Sequence, residues 1–285
     1  ENKDSYIKIS PSAWFVGSNL EYRLKEKIEK IGKPLKDWDV KIYYGIKTGL
    51  NEAFIITTEK KDEILRNCKT EEERKRTEKI IKPILRGRDI KRYSYEWAGL
   101  WVIVIPAGWT NKNKGVEKPE VFIEKTFPSL MNHLKNFEDA AKKRQDKGDY
   151  WWELRHCDYY EEFEKEKIVY SEIVREPQFY YDTQKFYVEA TAFIMTGEYI
   201  KYICALLNSK PVSYFFKRFY AGGGLGDEGF RYKKEFLEEL PIPPVLDKNK
   251  EIVKKAEFLV DKILSVKNEN FNNNITEYEK KIDQL

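Results

Sequence analysis

The sequence predicts an α+β fold, a mixed β-sheet with packed helices, followed by a C-terminal helix. Apolar runs at strand spacing are interspersed with amphipathic helical stretches, which favours mixed strands covered by helices. The 285 residues are 41% hydrophobic and 15% aromatic, enough for a sizeable core and far from a disordered composition. The segment 246–285 then changes to a long helical pattern, so we expect domains at 1–245 and 246–285.

The predicted helices show apolar residues spaced three and four apart. In the first, Leu20, Leu24, Ile28 and Ile31 share a face, and Lys33-Pro34 ends it. The other helices are expected at about 60–81, 130–148, 199–207, 212–219 and 252–263.

The predicted strands are short runs of β-branched and aromatic residues bounded by turn signals. The run 100–105 is continuously apolar, which is typical of a strand buried on both faces. The glycine-rich stretch 221–229 predicts a flexible loop, and 240–244 (Leu-Pro-Ile-Pro-Pro) predicts extended chain. The other strands are expected at 40–44, 53–56, 168–174, 179–181, 186–188 and 192–195.

The C-terminal segment allows two interpretations. Phe271, Ile275, Tyr278, Ile282 and Leu285 are spaced four and three apart, which is the seam of a coiled-coil-like spacer helix. An ordinary amphipathic helix packed on the body explains so short a run equally well.

No run approaches the roughly 18 apolar residues that a membrane span needs. Cys68, Cys157 and Cys204 are widely spaced without a Cys-x-x-Cys pair, so neither a disulfide framework nor a zinc site is supported. We therefore expect a reducing, cytoplasmic compartment and no membrane partner.

The sequence shows no catalytic constellation and no metal ligand set. An adenine methyltransferase needs an Asn/Asp/Ser-Pro-Pro-aromatic tetrad, yet the only Pro-Pro, Pro243-Pro244, lies between Ile242 and Val245. Gly222–Gly226 lacks the Gly-Lys-Ser/Thr of a phosphate-binding loop. The Glu-x-Lys matches lack the partner acid that a metal-dependent nuclease requires. We predict no catalytic residue and no metal site in this chain.

The net charge of +4 hides an uneven distribution. The first basic window, 82–93, carries +4; the second, 142–147, carries +3; and the third, 210–234, carries +4. The remaining chain carries −7. A basic face on an acidic body attracts phosphate, although solvated helix faces can produce similar runs.

Two motifs resemble a known family. Residues 44–56, here the first motif, read Tyr-Gly-Ile-Lys-Thr-Gly-Leu-Asn-Glu-Ala-Phe-Ile-Ile. Residues 81–93, the second motif, read Ile-Lys-Pro-Ile-Leu-Arg-Gly-Arg-Asp-Ile-Lys-Arg-Tyr. Both resemble the TaqI-like C-terminal specificity domain, the target-recognition part of type IIG restriction-modification enzymes and adenine-specific DNA methyltransferases. The matches at 206–209 and 240–244 are also similar to type I specificity subunits, in which a long spacer helix follows.

The resemblance implies a recognition fragment of a larger enzyme. The fragment would bind double-stranded DNA sequence-specifically and read base edges in the major groove. The parent would carry an upstream methyltransferase domain that uses S-adenosylmethionine, with Mg²⁺ as well if the parent also cleaves DNA. The fragment itself would need no cofactor. The predicted DNA-binding residues are Lys47, Thr48, Asn51, Arg86, Arg88, Lys91, Arg92, Lys142, Lys143, Arg144, Lys217, Arg218, Arg231 and Lys233.

Two alternatives stay open at this point. In the first, the chain is a protein-interaction module like a type I specificity subunit, and its C-terminal helix docks partners. In the second, the chain is a free-standing enzyme, which the missing catalytic motifs disfavour.

Overall fold

The computed structural model describes residues 5–9, 14–221, 225 and 229–285. Its α-helices are α1 Asn19–Ile31, α2 Asn51–Phe54, α3 Thr58–Arg66, α4 Glu71–Ile80, α5 Trp109–Asn113, α6 Pro119–Thr126, α7 Pro128–Leu134, α8 Glu138–Lys143, α9 Ile200–Asn208, α10 Lys210–Phe219, α11 Lys234–Glu238, α12 Lys250–Glu269 and α13 Thr276–Asp283.

The strands are β1 Ser5–Ile9, β2 Trp14–Ser18, β3 Lys33–Pro34, β4 Val40–Tyr44, β5 Ile55–Thr57, β6 Ile81–Leu85, β7 Ile90–Lys91, β8 Ser94–Tyr95, β9 Leu100–Ile103, β10 Lys167–Ser171, β11 Ile173–Val174, β12 Phe179–Asp182, β13 Tyr187–Val188, β14 Ala192–Gly197, β15 Phe230–Arg231 and β16 Pro241–Ile242. The predicted α+β fold is confirmed. Parts of the glycine-rich loop, 222–224 and 226–228, lie outside the described residues.

A central antiparallel sheet of order β12-β10-β14-β4 separates two apolar cores. Because successive side chains of a strand point to opposite faces, β10 contributes Ile168 and Tyr170 to one core and Val169 to the other. The first core lies against α9, α10 and α12. The second core lies against a mixed sheet of order β13-β6-β9-β5 and against α3, α6 and α7.

Local capping explains where the predicted long charged helix at 60–81 divides. The Thr57 hydroxyl accepts a hydrogen bond from the backbone of Lys60 at the start of α3. The Thr70 hydroxyl accepts one from Glu73 and begins α4. Each threonine satisfies an otherwise unpaired N–H of a new helix. The predicted strand 53–56 is likewise shorter, because Ala53 and Phe54 close the helical turn α2 before β5 begins.

The predicted helix at 130–148 is also interrupted. A 3₁₀ turn at Lys135–Phe137 separates α7 from α8, and α8 ends at Lys143. Similarly, the predicted strand 168–174 is divided into β10 and β11.

The C-terminal segment packs on the body as two helices rather than one continuous spacer. In α12, Val253, Ala256, Val260 and Ile263 are buried in the first core. A turn rich in asparagine follows, in which the Asn273 amide donates to the carbonyl of Val266. Such side-chain bonds to the backbone compete with helix continuation. The boundary predicted at residue 245 stays a prediction.

No helix in the described ranges combines the length and the apolar character that a membrane span requires.

Candidate nucleic-acid interface

The fold brings both motifs against one short connecting segment, residues 187–192. The backbone N–H of Ile46 donates to Val188 (2.7 Å), and that of Gly45 donates to Ala192 (2.9 Å). On the other side, the N–H of Glu189 donates to the carbonyl of Leu85 in the second motif (2.9 Å). The connecting segment therefore joins two stretches that are far apart in sequence.

The turn of the first motif is held by its own polar side chains. The Thr48 hydroxyl donates to the Asn51 side-chain oxygen (2.6 Å) and accepts from the backbone N–H of Leu50 (3.2 Å). Gly49 adopts a left-handed φ of +69°, which a glycine tolerates without strain. Thr48 is buried, whereas Lys47 is exposed and has no ion-pair partner among the described residues. Lys47 is therefore the available cation of this turn.

Asn51 links the turn to the connecting segment. Its amide donates to the Glu189 carboxylate (3.0 Å).

Arg144 fastens the second basic window to the first motif from the inside. Its guanidinium is buried and donates to the backbone carbonyls of Thr48, Trp151 (2.9 Å) and Glu153. The same group lies 4.2 Å from the centre of the Phe54 ring. Burial lowers the pKa of Arg144 to about 10, so the group stays charged at neutral pH. Thr48 and Arg144 thus shape the turn, and their contact with DNA stays a prediction.

The second motif forms a tight turn around Asp89. Arg86 holds the Asp89 carboxylate with two side-chain bonds, Nε to Oδ2 at 2.9 Å and an Nη to Oδ1 at 2.7 Å. This hydrogen-bonded ion pair raises the pKa of Arg86. Gly87 packs closely against the side chains of Ser171 and Thr191. A Cβ at this position would lie only 2.8 Å from the Ser171 hydroxyl, so the packing requires glycine. Arg88 lies between Gly87 and Asp89 in the sequence. Its side chain is exposed and has no ion-pair partner among the described residues.

Lys91 and Arg92 have acidic partners. Arg92 Nε lies 2.6 Å from the carboxylate of Glu279 in α13, at the opposite end of the chain. Lys91 donates to the carbonyl of Arg88 (2.7 Å) and lies 3.8 Å from Glu96. The charge of Arg92 is therefore neutralised by a residue distant in the sequence, and no local sequence pattern predicts this pair.

Most other predicted contacts also form ion pairs. The pairs are Lys142 with Glu138 (2.6 Å), Lys217 with Glu176 (2.9 Å), Arg218 with Glu21 (2.8 Å) and Lys233 with Glu235 (3.6 Å). Lys143 and Arg231 are exposed and lack a partner in the described part of the chain. Among the described residues, Lys47, Arg88, Lys143 and Arg231 are thus the predicted cations that are exposed and have no ion-pair partner.

One further candidate DNA contact, Arg175, lies outside the three basic windows. Arg175 is exposed, directly follows β11, and has no ion-pair partner within the described ranges. It stands outside the three windows, so only its place in the fold identifies it.

Lys47, Arg88, Arg175 and Arg231, here the basic row, lie on segments that contact one another in order. The first motif contacts the connecting segment through Ile46. Gly87 contacts Thr191 of the connecting segment and Ser171 at the end of β10. Next comes β11, which pairs with β15, placing Arg231 opposite Ile173. The fold thus brings together four segments from separate parts of the sequence, and each of them carries one cation of the basic row.

No group of three or more histidine, cysteine, aspartate or glutamate side chains in the described residues is arranged to hold a metal ion.

Comparison with known proteins agrees with this architecture. The chain superimposes on the type IIL restriction-modification enzyme MmeI, solved in complex with DNA, with a TM-score of 0.60 and 14% identity. It superimposes on the type IIG restriction endonuclease BpuSI with a TM-score of 0.50 and 13% identity. The matches cover 100% and 93% of this chain, but only 38% and 32% of those two enzymes. The chain therefore has the fold of one part of restriction-modification enzymes.

The sequence pattern of the TaqI-like C-terminal specificity domain matches residues 82–242, more than half of the chain. The chain belongs to this family of specificity domains, as its two motifs predicted. No curated protein sequence matches it.

Proposed function

We propose that this chain binds double-stranded DNA as the target-recognition part of a restriction-modification enzyme and reads a specific base sequence. The basic row is the observation that carries the proposal. Four cations without carboxylate partners in the described part of the chain lie on contacting segments, and Arg88, Arg175 and Arg231 fall within the range 82–242 that the specificity-domain family matches. Uncompensated cations attract the phosphate backbone without first having to break an ion pair.

The cations divide into two groups on this proposal. Lys47, Arg88 and Arg231 contact DNA as they stand. Arg88 flanks Gly87 in a close-packed turn and is our candidate for reading guanine, because an arginine fork fits O6 and N7. The paired cations, such as Lys217 and Lys233, contact phosphate by exchanging a carboxylate for it.

The proposal extends to the parent protein. The parent is an adenine-N6 DNA methyltransferase that acts in the cytoplasm, with the methyltransferase domain upstream in the same polypeptide. S-adenosylmethionine binds to that upstream domain, and Mg²⁺ serves a nuclease if the parent has one. The family resemblance supports this extension, and methyl transfer from labelled S-adenosylmethionine by the parent polypeptide tests it.

The DNA-binding proposal is tested by fluorescence anisotropy with a pool of duplexes at 50 and 200 mM salt, roughly the range over which phosphate contacts weaken. We expect salt-sensitive binding, and a Lys47→Ala, Arg231→Ala variant should lower the slope of log affinity against log salt by about 2, about 1 for each lost phosphate contact. Lys255→Ala is the matched control, because Lys255 is an exposed cation on α12. Absence of duplex binding by the folded chain at low salt contradicts the proposal.

A further inference from the structure

A cleft of about 220 Å³ opens directly beside the turn of the first motif. Tyr44 and Lys47 line it from the motif, and Arg155, Cys157, Tyr159 and Tyr160 line it from the opposite side. None of the described residues that line it carries a carboxylate. Of the residues that line the cleft, Lys47 alone is among the DNA contacts predicted from the sequence.

The aromatic walls are held by contacts of their own. Tyr159 stacks on Tyr43 with ring centres 4.6 Å apart, and the Tyr160 hydroxyl donates to the carbonyl of Arg155 (3.1 Å). Tyr44 belongs to β4, the outer strand of the central sheet, and half of its surface is exposed. The Tyr44 ring itself packs at a tilt on Phe193, with ring centres 4.9 Å apart, so the cleft offers a base only the exposed part of this ring.

The charge of the cleft is positive. Lys47 has no partner among the described residues, and Arg155 has only a loose contact of 3.5 Å with Asp146. Burial raises the pKa of Tyr159 to about 12, so its hydroxyl remains protonated at neutral pH. Aromatic rings together with cations and without carboxylates suit a ligand that combines a planar base with a phosphate.

We propose that this cleft holds one nucleotide of the bound DNA, its base against Tyr44 and its phosphate near Lys47 and Arg155. The inference rests on the proposed function, because it names a subsite of the same DNA-binding surface. A half-exposed tyrosine stacks on any base, because every base has a π-face, so this subsite contributes affinity and register more than sequence discrimination.

Cys157 provides a built-in reporter for the cleft. Of the free cysteines, Cys204 is buried, while Cys68 and Cys157 are partly exposed. In a Cys68→Ser variant, the rate of Cys157 alkylation by iodoacetamide at pH 8.5 is followed by mass spectrometry. The reaction runs without ligand, with saturating duplex, or with deoxyadenosine monophosphate. We expect bound duplex to slow alkylation at least tenfold.

Tyr44 variants separate filling of the cleft from general shielding by DNA. In the same background, Tyr44→Ala should lose most of the protection, whereas Tyr44→Phe should keep it. Tyr199→Ala is the matched control, because Tyr199 is a similarly exposed tyrosine beyond the far end of β14. If bound duplex protects Cys157 equally well in the Cys68→Ser variant with and without Tyr44→Ala, the inference is overturned.

A parallel anisotropy titration distinguishes the two possible failures. Duplex that binds but leaves Cys157 unprotected overturns the cleft inference and leaves the proposed function standing. Protection by the mononucleotide alone also overturns it, and assigns the cleft to a free nucleotide. Absence of duplex binding overturns both proposals.

Discussion

At the scale of single residues, burial separates the basic side chains that shape the turn of the first motif from those that face solvent. Lys143 and Arg144 are adjacent in the second basic window and look equivalent in the sequence. In the fold, Lys143 is exposed, whereas Arg144 is buried under the first motif. The Arg144 side chain therefore stabilises the fold, whereas the Lys143 side chain is in solvent.

This difference predicts unequal costs of substitution. Arg144→Ala removes the guanidinium that donates to the carbonyls of Thr48, Trp151 and Glu153, so we expect a loss of about 3 kcal/mol in the free energy of unfolding. Lys143→Ala is the matched control and should cost less than about 0.5 kcal/mol. Urea denaturation measures the free energy of unfolding of both variants. Similar losses for the two would contradict the stabilising role of the three Arg144 hydrogen bonds.

At the scale of elements, close packing of backbones holds the first motif against the connecting segment. A Cβ on Gly45 would lie 2.1 Å from the carbonyl oxygen of Glu189, which no side-chain movement can relieve. The glycine at the start of this motif is therefore required for packing rather than for flexibility.

Gly45→Ala should accordingly destabilise the protein by about 3 kcal/mol through overpacking. Gly115→Ala is the comparison, because its φ of +58° is strained for alanine but no atom lies within 4 Å of the new Cβ. We expect that variant to lose about 1 kcal/mol, from backbone strain alone. Thermal unfolding gives the ranking, and a milder effect at Gly45 would falsify the packing argument.

The contact between α1 and α10 predicts a dependence on pH. Hydrogen bonds from Arg218 and from the Ser18 backbone lower the pKa of Glu21 from 4.5 to about 2. The contact therefore stabilises the fold above about pH 4.5, and this stabilisation is lost as the pH falls towards 2.

Melting temperatures of the natural chain and of Glu21→Gln test this sign. The natural chain should be the more stable at pH 7, by no more than about 1 kcal/mol because the pair is at the surface. Its advantage should shrink at pH 3. Arg218→Gln changes the other partner and should show the same trend, and an advantage that does not change with pH would exclude Glu21 as its source.

At the scale of the whole molecule, the central sheet contributes side chains to both apolar cores. Helix α12 packs against the first of them. Ile263 in α12 is fully buried among residues that include Ile168 and Ile203, from β10 and α9. We infer that α12 stabilises the body of the domain.

Ile263→Ala should lower the free energy of unfolding by about 3 kcal/mol. Ile252→Ala, on the exposed side of the same helix, should cost less than about 1 kcal/mol. Near- and far-ultraviolet circular dichroism should report one shared transition. Melting of α12 before the sheet would instead support an independent segment beyond residue 245.

The sequence alone determined the fold class, the family and most elements of secondary structure. These follow from local information, namely apolar spacing, turn residues and two contiguous motifs, so neighbouring residues suffice to reveal them. Even there, the single helix predicted at 60–81 is in fact two helices, because the cap formed by Thr70 is a single-residue signal within a charged run.

Only the tertiary structure decided which cations are free. Arg92 and Arg88 stand in the same window, but Arg92 pairs with Glu279 while Arg88 has no partner among the described residues. Ion pairing and burial depend on residues brought together from distant parts of the chain, and a charge count along the sequence cannot register them. For the same reason Arg175 and the cleft beside Tyr44 became visible only in the fold.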